Sequence, residues 1–201
     1  MPLQKSQITR RKLIDTARAE FAEHGIAGAR VDRIAEHSGV NKQRIYAYFG
    51  NKEGLFAAVI SDTYEELGRQ VPVPDTIEGM RRYVGAVFDY HAANSDLVRL
   101  LAWEGLHYGS NDFPGREERQ AYYVHKSAAF SDALGIDSPT EAAHLLFSLI
   151  AMASWPFVVE QQRRLMTEPP AVPGGGRELL RESITHYGRT LIDSLSTPTK
   201  T

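Results

Sequence analysis

The chain contains no cysteine. That excludes disulfides and thiolate metal or redox sites, and it agrees with a reducing cytoplasm. The opening residues, MPLQKSQITRRKL, lack the apolar core of a secretory signal, so a cytoplasmic protein is expected. Runs alternating with period two are also missing, and no segment makes a convincing strand. There is no internal repeat and no low-complexity tract beyond Gly174-Gly175-Gly176. One uncharged stretch, Ala142 to Val159, is almost long enough to cross a membrane. It contains His144, Ser148, Ser154 and Pro156 and has no basic flank, so it reads as a buried helix and no membrane partner is expected. An excess of positive charge is missing too: the net value is −2, which by itself argues against a nucleic-acid partner.

What is present changes that last reading. The 201 residues are 42% hydrophobic, enough for a proper core in one or two domains. Residues 1–55 hold ten Lys and Arg against six Asp and Glu, whereas residues 56–201 hold thirteen against nineteen. A basic head on an acidic body is a polarised molecule.

The periodicity is helical almost throughout, so the expected fold is all-α. Ile14, Ala17 and Phe21 face inward on a first helix that Gly25 ends. Val31, Ile34 and Ala35 do so on a second, which stops at Ser38-Gly39. Asn41 caps a third and Asn51 a fourth running to about Gln70. The joint Val71-Pro72-Val73-Pro74 cannot continue a helix, and Asp75 to Glu78 has capping-box spacing for the next. Further helices start at Asn94-Ser95-Asp96, at about Arg116 and at Ser138-Pro139-Thr140-Glu141. The helix from Ser138 is apolar on nearly all sides as far as Val159, with Pro156 expected to kink it. After a connection from Pro169 to Gly176, a last helix carries Leu180, Ile184, Tyr187, Leu191 and Leu195 on one stripe. Residues 1–55 are expected to form one domain and 56–201 a second, with the helix over 51–70 bridging them.

Ile34-Ala35, then Gly39-Val40, then Ile45 is the spacing of a helix-turn-helix. Val40 and Ile45 fasten its second helix, so Lys42, Gln43, Arg44, Tyr46 and Tyr48 form a protruding ridge. A ridge of this kind fits a major groove about 12 Å wide. Arg44 can pair bidentately with a guanine edge and Gln43 with adenine. Lys42, the two phenols and Lys52 at the start of the next helix suit phosphates. The expected partner is double-stranded DNA.

Residues 8–60 resemble the DNA-binding domain of the TetR (tetracycline-repressor) family. The matching residues are Ile14, Ala17, Phe21, Gly25, Val31, Ile34-Ala35, Gly39-Val40, Lys42, Ile45-Tyr46, Phe49, Asn51-Lys52-Glu53 and Leu55. The resemblance implies an all-helical homodimer of about nine helices per subunit. It further implies a C-terminal ligand-binding and dimerisation domain and, usually, repression of an operator released by a small-molecule effector. The family commonly has Gly-Thr where this chain has Gln43-Arg44, and often His in place of Tyr48. Those are base- and phosphate-contact positions, so the resemblance fixes the class and not the operator sequence.

Two further groups carry expectations. Leu145, Leu149, Phe157, Leu180, Ile184, Leu191 and Leu195 offer more apolar surface than one subunit covers. The family pairs these helices with their copies, so they are the expected dimer interface. Phe88, His91, Trp103, His107, Tyr123, Phe147, Met152 and Trp155 combine large apolar bodies with a few polar handles. They are the expected lining of a site for an apolar, aromatic effector. The enzyme alternative rests on Glu104 with His107 and Glu141 with His144, two Glu-x-x-His pairs of the kind found in carboxylate metal bundles. Glu141 is already explained by a capping box and Glu104 lies near a helix end, so no metal or cofactor is expected. No Ser/His/Asp arrangement stands out, and the reading is a regulator and not an enzyme.

Overall fold

The computed structural model describes residues 2–168 and 176–196. The connection expected over Pro169 to Gly176, including Gly174 and Gly175, lies outside the described residues except for Gly176. Among the described residues there are ten helices and no strand. They are α1 (Pro2–Gly28), α2 (Val31–Ser38), α3 (Lys42–Phe49), α4 (Lys52–Gln70), α5 (Ile77–Ala93), α6 (Ser95–Tyr108), α7 (Arg116–Leu134), α8 (Pro139–Val158), α9 (Glu160–Thr167) and α10 (Arg177–Ser196).

Several boundaries follow directly from local chemistry. The Asn41 side chain accepts from the Arg44 N–H at 2.8 Å, and the Asn51 side chain from the Gly54 N–H at 2.7 Å, so both caps form. Ser138 caps α8 by accepting from the Glu141 N–H, with Pro139 in its first turn. At α5 the cap is Thr76, which accepts from the Gly79 N–H; the box expected from Asp75 is displaced by one residue. Gly25 does not end α1 outright. It interrupts the helix at φ 67 and ψ 178, and helical backbone resumes to Gly28. Pro156 is accommodated inside α8, and the break falls at Val159. The short α9 that follows is held by Arg163, which pairs with Glu160 at 2.8 Å and Glu168 at 2.7 Å.

Two compact units divide the chain: Met1–Glu66 with Asp96–Arg119, and Leu67–Ser95 with Gln120–Thr201. The first is larger than the expected head because α6 belongs to it. Arg18 is the reason at one end of α6, pairing with Glu66 at 2.9 Å and Asp96 at 2.5 Å. Farther along, the Arg99 Nε and the Trp103 Nε1 both donate to the carbonyl oxygen of Ala22. The core of this unit joins Leu13, Ile14, Ala17, Phe21, Ile34, Ile45, Leu55, Phe56, Leu97 and Leu100. Phe21 and Phe56 meet edge to face at 5.1 Å.

In the second unit α5 packs against both α8 and α10. Small residues let α10 approach closely. A Cβ on Gly188 would lie 2.8 Å from Val84 Cγ2, and one on Gly85 would lie 2.9 Å from Thr185 Oγ1. Arg81 with Asp193 at 2.7 Å and Arg181 with Asp89 at 2.5 Å fix the register of the pair. α8 is long and apolar enough to cross a membrane by length and composition alone. Within the chain one face of it is covered: Ala142, Leu145, Leu146, Leu149 and Ala153 are buried, but Phe147 is 74% exposed and Trp155 57%.

Candidate functional site

The helix-turn-helix is built from the inside outward. Ile34 and Ile45 are fully buried and Val40 nearly so, which locks α2 against α3. Gly39 sits at φ 71 in the turn, its N–H donating to the carbonyls of Ala35 and Glu36. α2 has no side-chain cap, and the task falls to Glu20 of α1. Its buried carboxylate accepts from the Arg30 N–H at 2.8 Å and from Arg33 at 2.6 Å. Burial pushes the Glu20 carboxyl up, but the hydrogen bonds from Arg33 and Arg30 outweigh it and hold it below the usual range.

This anchoring leaves Lys42, Gln43, Arg44, Tyr46 and Tyr48 all exposed on α3. Arg44 donates from Nη2 to the Tyr48 Oη at 3.0 Å, so the guanidinium is steadied one helical turn from the phenol. Lys42 rests 2.9 Å from Asp32 on α2. That hydrogen bond raises the lysine and lowers the carboxyl, so both stay charged. Exposed pairs of this kind are weak, and a phosphate can take the ammonium over. Lys52 is half-buried at the start of α4, where its Nζ donates to the Ala27 carbonyl at 3.4 Å. The structure therefore brings the six residues expected to meet DNA into one unit, with five on a single short helix.

The other two groups are dispersed. Of the expected effector lining, Phe88 and His91 are buried on α5 and both approach Phe157, at 5.0 Å and 6.3 Å between ring centroids. Tyr123 and Met152 are half-buried in the same unit. Trp103 and His107 belong to the unit that carries α3, where Trp103 packs on Gly25. Phe147 and Trp155 face outward on α8 and so line no enclosed site among the described residues. Of the expected interface, Leu145, Leu149 and Ile184 are buried in the chain's own core, because the inner faces of α8 and α10 serve α5. Leu180, Leu191 and Leu195 are half-buried, and Phe157 is turned toward Phe88. The apolar residues left outward are Phe147, Trp155 and Val158 on α8 and Leu179 and Tyr187 on α10.

The metalloenzyme alternative finds no support. Glu104 is held bidentately by Arg119 at 2.6 and 2.7 Å, and His107 and His144 are exposed. Among the described residues no group of three His, Asp or Glu could hold a metal ion. Sequence reasoning also missed residues. Tyr83 and Tyr122 gather around the buried Lys126 ammonium, whose Nζ is 5.3 Å from each ring. The signal was the 122, 126, 130 spacing along α7, one helical face ending in buried Phe130.

An exposed, basic and phenolic recognition helix on a locked helix-turn-helix defines a class of protein, the DNA-binding regulators. Two family models match the chain: bacterial regulatory proteins, tetR family, over residues 13–59, and tetracyclin repressor-like, C-terminal domain, over residues 80–185. The HTH-type transcriptional repressor SCO4008 of Streptomyces coelicolor is 44% identical over 96% of this chain and 100% of its own length. The repressor NicS of Pseudomonas putida is 30% identical over 53% of this chain and 52% of its own. Among solved structures, the putative transcriptional regulator SCO4942 of Streptomyces coelicolor has a TM-score of 0.74 at 27% identity, covering 91% of this chain and 97% of that one. The chain belongs to the TetR family, as a helix-turn-helix, DNA-binding transcriptional repressor and not an enzyme.

Proposed function

We propose that the protein works in the cytoplasm as a homodimer, holds a near-palindromic operator and is released from it by a small, mostly apolar molecule. The observation that carries the reading is the exposed α3 ridge, from which Gln43 and Arg44 would reach base edges while Lys42, Tyr46, Tyr48 and Lys52 would meet phosphates. Arg44→Ala should weaken operator binding by about 1–3 kcal/mol and relax the preference at one base pair. Lys52→Ala should weaken all sequences alike and lower the salt dependence of binding. Both are read by titrating labelled duplexes at several salt concentrations. An Arg44→Ala variant with unchanged affinity and sequence preference would remove α3 from base reading.

The outward apolar residues of α8 and α10 support the homodimer. In a monomer Phe147, Trp155, Leu179 and Tyr187 stand in water on α8 and α10, two helices in contact with each other, and offer apolar side chains for a second copy to cover. Pairing α8 and α10 with their copies about a two-fold axis covers it and supplies the second half-site contact. Replacing Phe147 and Tyr187 with Asp should give folded monomers with operator affinity lost by tenfold or more. Sedimentation and circular dichroism check this, and a double variant that stays a stable dimer would move the interface elsewhere.

The effector reading is supported by the unit built from α5, α7 and α8, where Phe88, His91 and Phe157 gather. An effector shifts the equilibrium between DNA-competent and DNA-incompetent forms only by its difference in affinity for them. Operator DNA must then weaken effector binding by the same factor.

A further inference from the structure

Lys126 is the one lysine among the described buried residues, only 4% exposed on α7. Its ammonium donates to the Tyr122 Oη at 3.3 Å and lies 5.3 Å from the ring centroids of Tyr83 and Tyr122. No carboxylate among the described residues pairs with it, and burial pulls its pKa down to about 8. An uncompensated cation in an apolar interior is costly, and such groups persist where they do something other than stabilise the fold.

Two more polar atoms of the same unit lack partners. The Tyr83 Oη and the His91 Nδ1 are buried with no hydrogen bond. They stand two helical turns apart on α5, on one face, and the Lys126 charge is felt at His91. Burial first, then that charge, lowers the His91 imidazole to about 4, so it is neutral and can offer one N–H. Aromatic bodies surround the polar groups: Phe130 is 5.5 Å from Tyr83, and Phe157 lies against Phe88 and His91. The cluster thus offers a single positive charge, hydroxyl and imidazole donors, and an apolar wall.

We propose that this cluster binds the carboxylate of a small organic acid, with Lys126 as counter-ion and Tyr83 and His91 as hydrogen-bond partners, and that such acids are the effectors. The inference rests on the ligand-responsive reading above and gives it a chemical class. A monovalent carboxylate neutralises the Lys126 charge. A phosphate dianion would leave an excess charge that burial penalises. A cationic ligand would place like charges together in the same interior. The apolar part of the acid lies against Phe88, Phe130 and Phe157.

The test titrates the full-length protein with arylalkanoic acids from benzoate to 4-phenylbutyrate, each beside its amide and its amine, and with inorganic phosphate. At least one acid should bind ten or more times tighter than its amide, while the amines and phosphate do not bind. Lys126→Met should abolish that preference and Lys126→Arg should retain part of it. If the Met variant does not fold, Tyr83→Phe takes its place, with a loss of acid affinity of at least threefold. Binding of an amide or amine as tight as its acid, failure of every acid to bind, phosphate binding equal to the acids, or an acid preference that survives Lys126→Met would overturn the proposal. Operator binding in the same titrations separates the two claims. An acid that binds at Lys126 without weakening operator binding defeats its role as effector and leaves the acid site standing. Release of the operator by an amine, with no acid bound, defeats the acid site and leaves ligand response standing.

Discussion

Gly25→Ala should lower the stability of the chain by roughly 2–6 kcal/mol, from backbone strain of about 1–3 and overpacking of about 1–3 kcal/mol. The backbone there has φ 67 and ψ 178, a region that side-chain-bearing residues almost never occupy. There is also no room. A Cβ on Gly25 would stand 2.7 Å from Trp103 Cδ2, and the indole is itself held by its Nε1 bond to the Ala22 carbonyl. Single domains are stable by only about 5–15 kcal/mol, so the variant approaches unfolding at moderate temperature. Urea denaturation followed by circular dichroism measures the loss. Trp103→Ala in the same chain should return the steric part and not the backbone part, so the two changes should cost less together than their sum. A loss below about 1 kcal/mol would mean that the break in α1 is not fixed by this glycine.

Lys126→Met should have the opposite sign and stabilise the ligand-free protein at pH 7 by as much as roughly 3 kcal/mol. The folded ammonium titrates at about 8 against 10.5 for an unconstrained lysine. Below pH 8 both states are charged and the fold carries the whole penalty. Between pH 8 and 10 the folded state gives up a proton that the unfolded state keeps, so the stability of the wild type rises with pH and the gap to the Met variant narrows. His91 acts in the acid range. Its folded value of about 4 lies below the ordinary 6.5, so the unfolded state binds the proton first. Wild-type stability should fall as pH drops from 6.5 toward 4.5, and His91→Phe should flatten that slope by up to roughly 3 kcal/mol. Denaturation midpoints over pH 4.5–10 test both. A Met variant less stable than wild type at pH 7 would show that the cation–π contacts with Tyr83 and Tyr122 outweigh the burial penalty.

These two sites also mark where the sequence stopped being informative. The recognition helix was legible because everything that builds it is local. Asn41 caps α3 from three residues before Arg44, Gly39 turns two residues earlier, and Ile34 to Ile45 spans a dozen positions. The expected division placed α6 with residues 56–201, and the matching C-terminal family model includes it. What the sequence does not record is the pair of bonds from Arg99 and Trp103 to Ala22, across 77 and 81 residues, that ties α6 to α1. Lys126 was hidden for a related reason. A lysine in the midst of Tyr122, His125 and Ser127 looks solvated until the packing of α7 onto Tyr83 buries it. The apolarity of α8 said that both its faces need covering, but not which face is covered by α5. Leu145 and Leu149 turn inward there, and Phe147 and Trp155 outward.

Selection of bound sequences from a random duplex pool is the most direct measurement of the central claim, that the α3 ridge reads DNA. The wild-type chain should enrich a near-palindrome with half-sites at least one helical turn apart, about 34–36 Å, and Arg44→Ala should blur one base pair in each half-site. A pool with no enriched sequence after repeated rounds would contradict it.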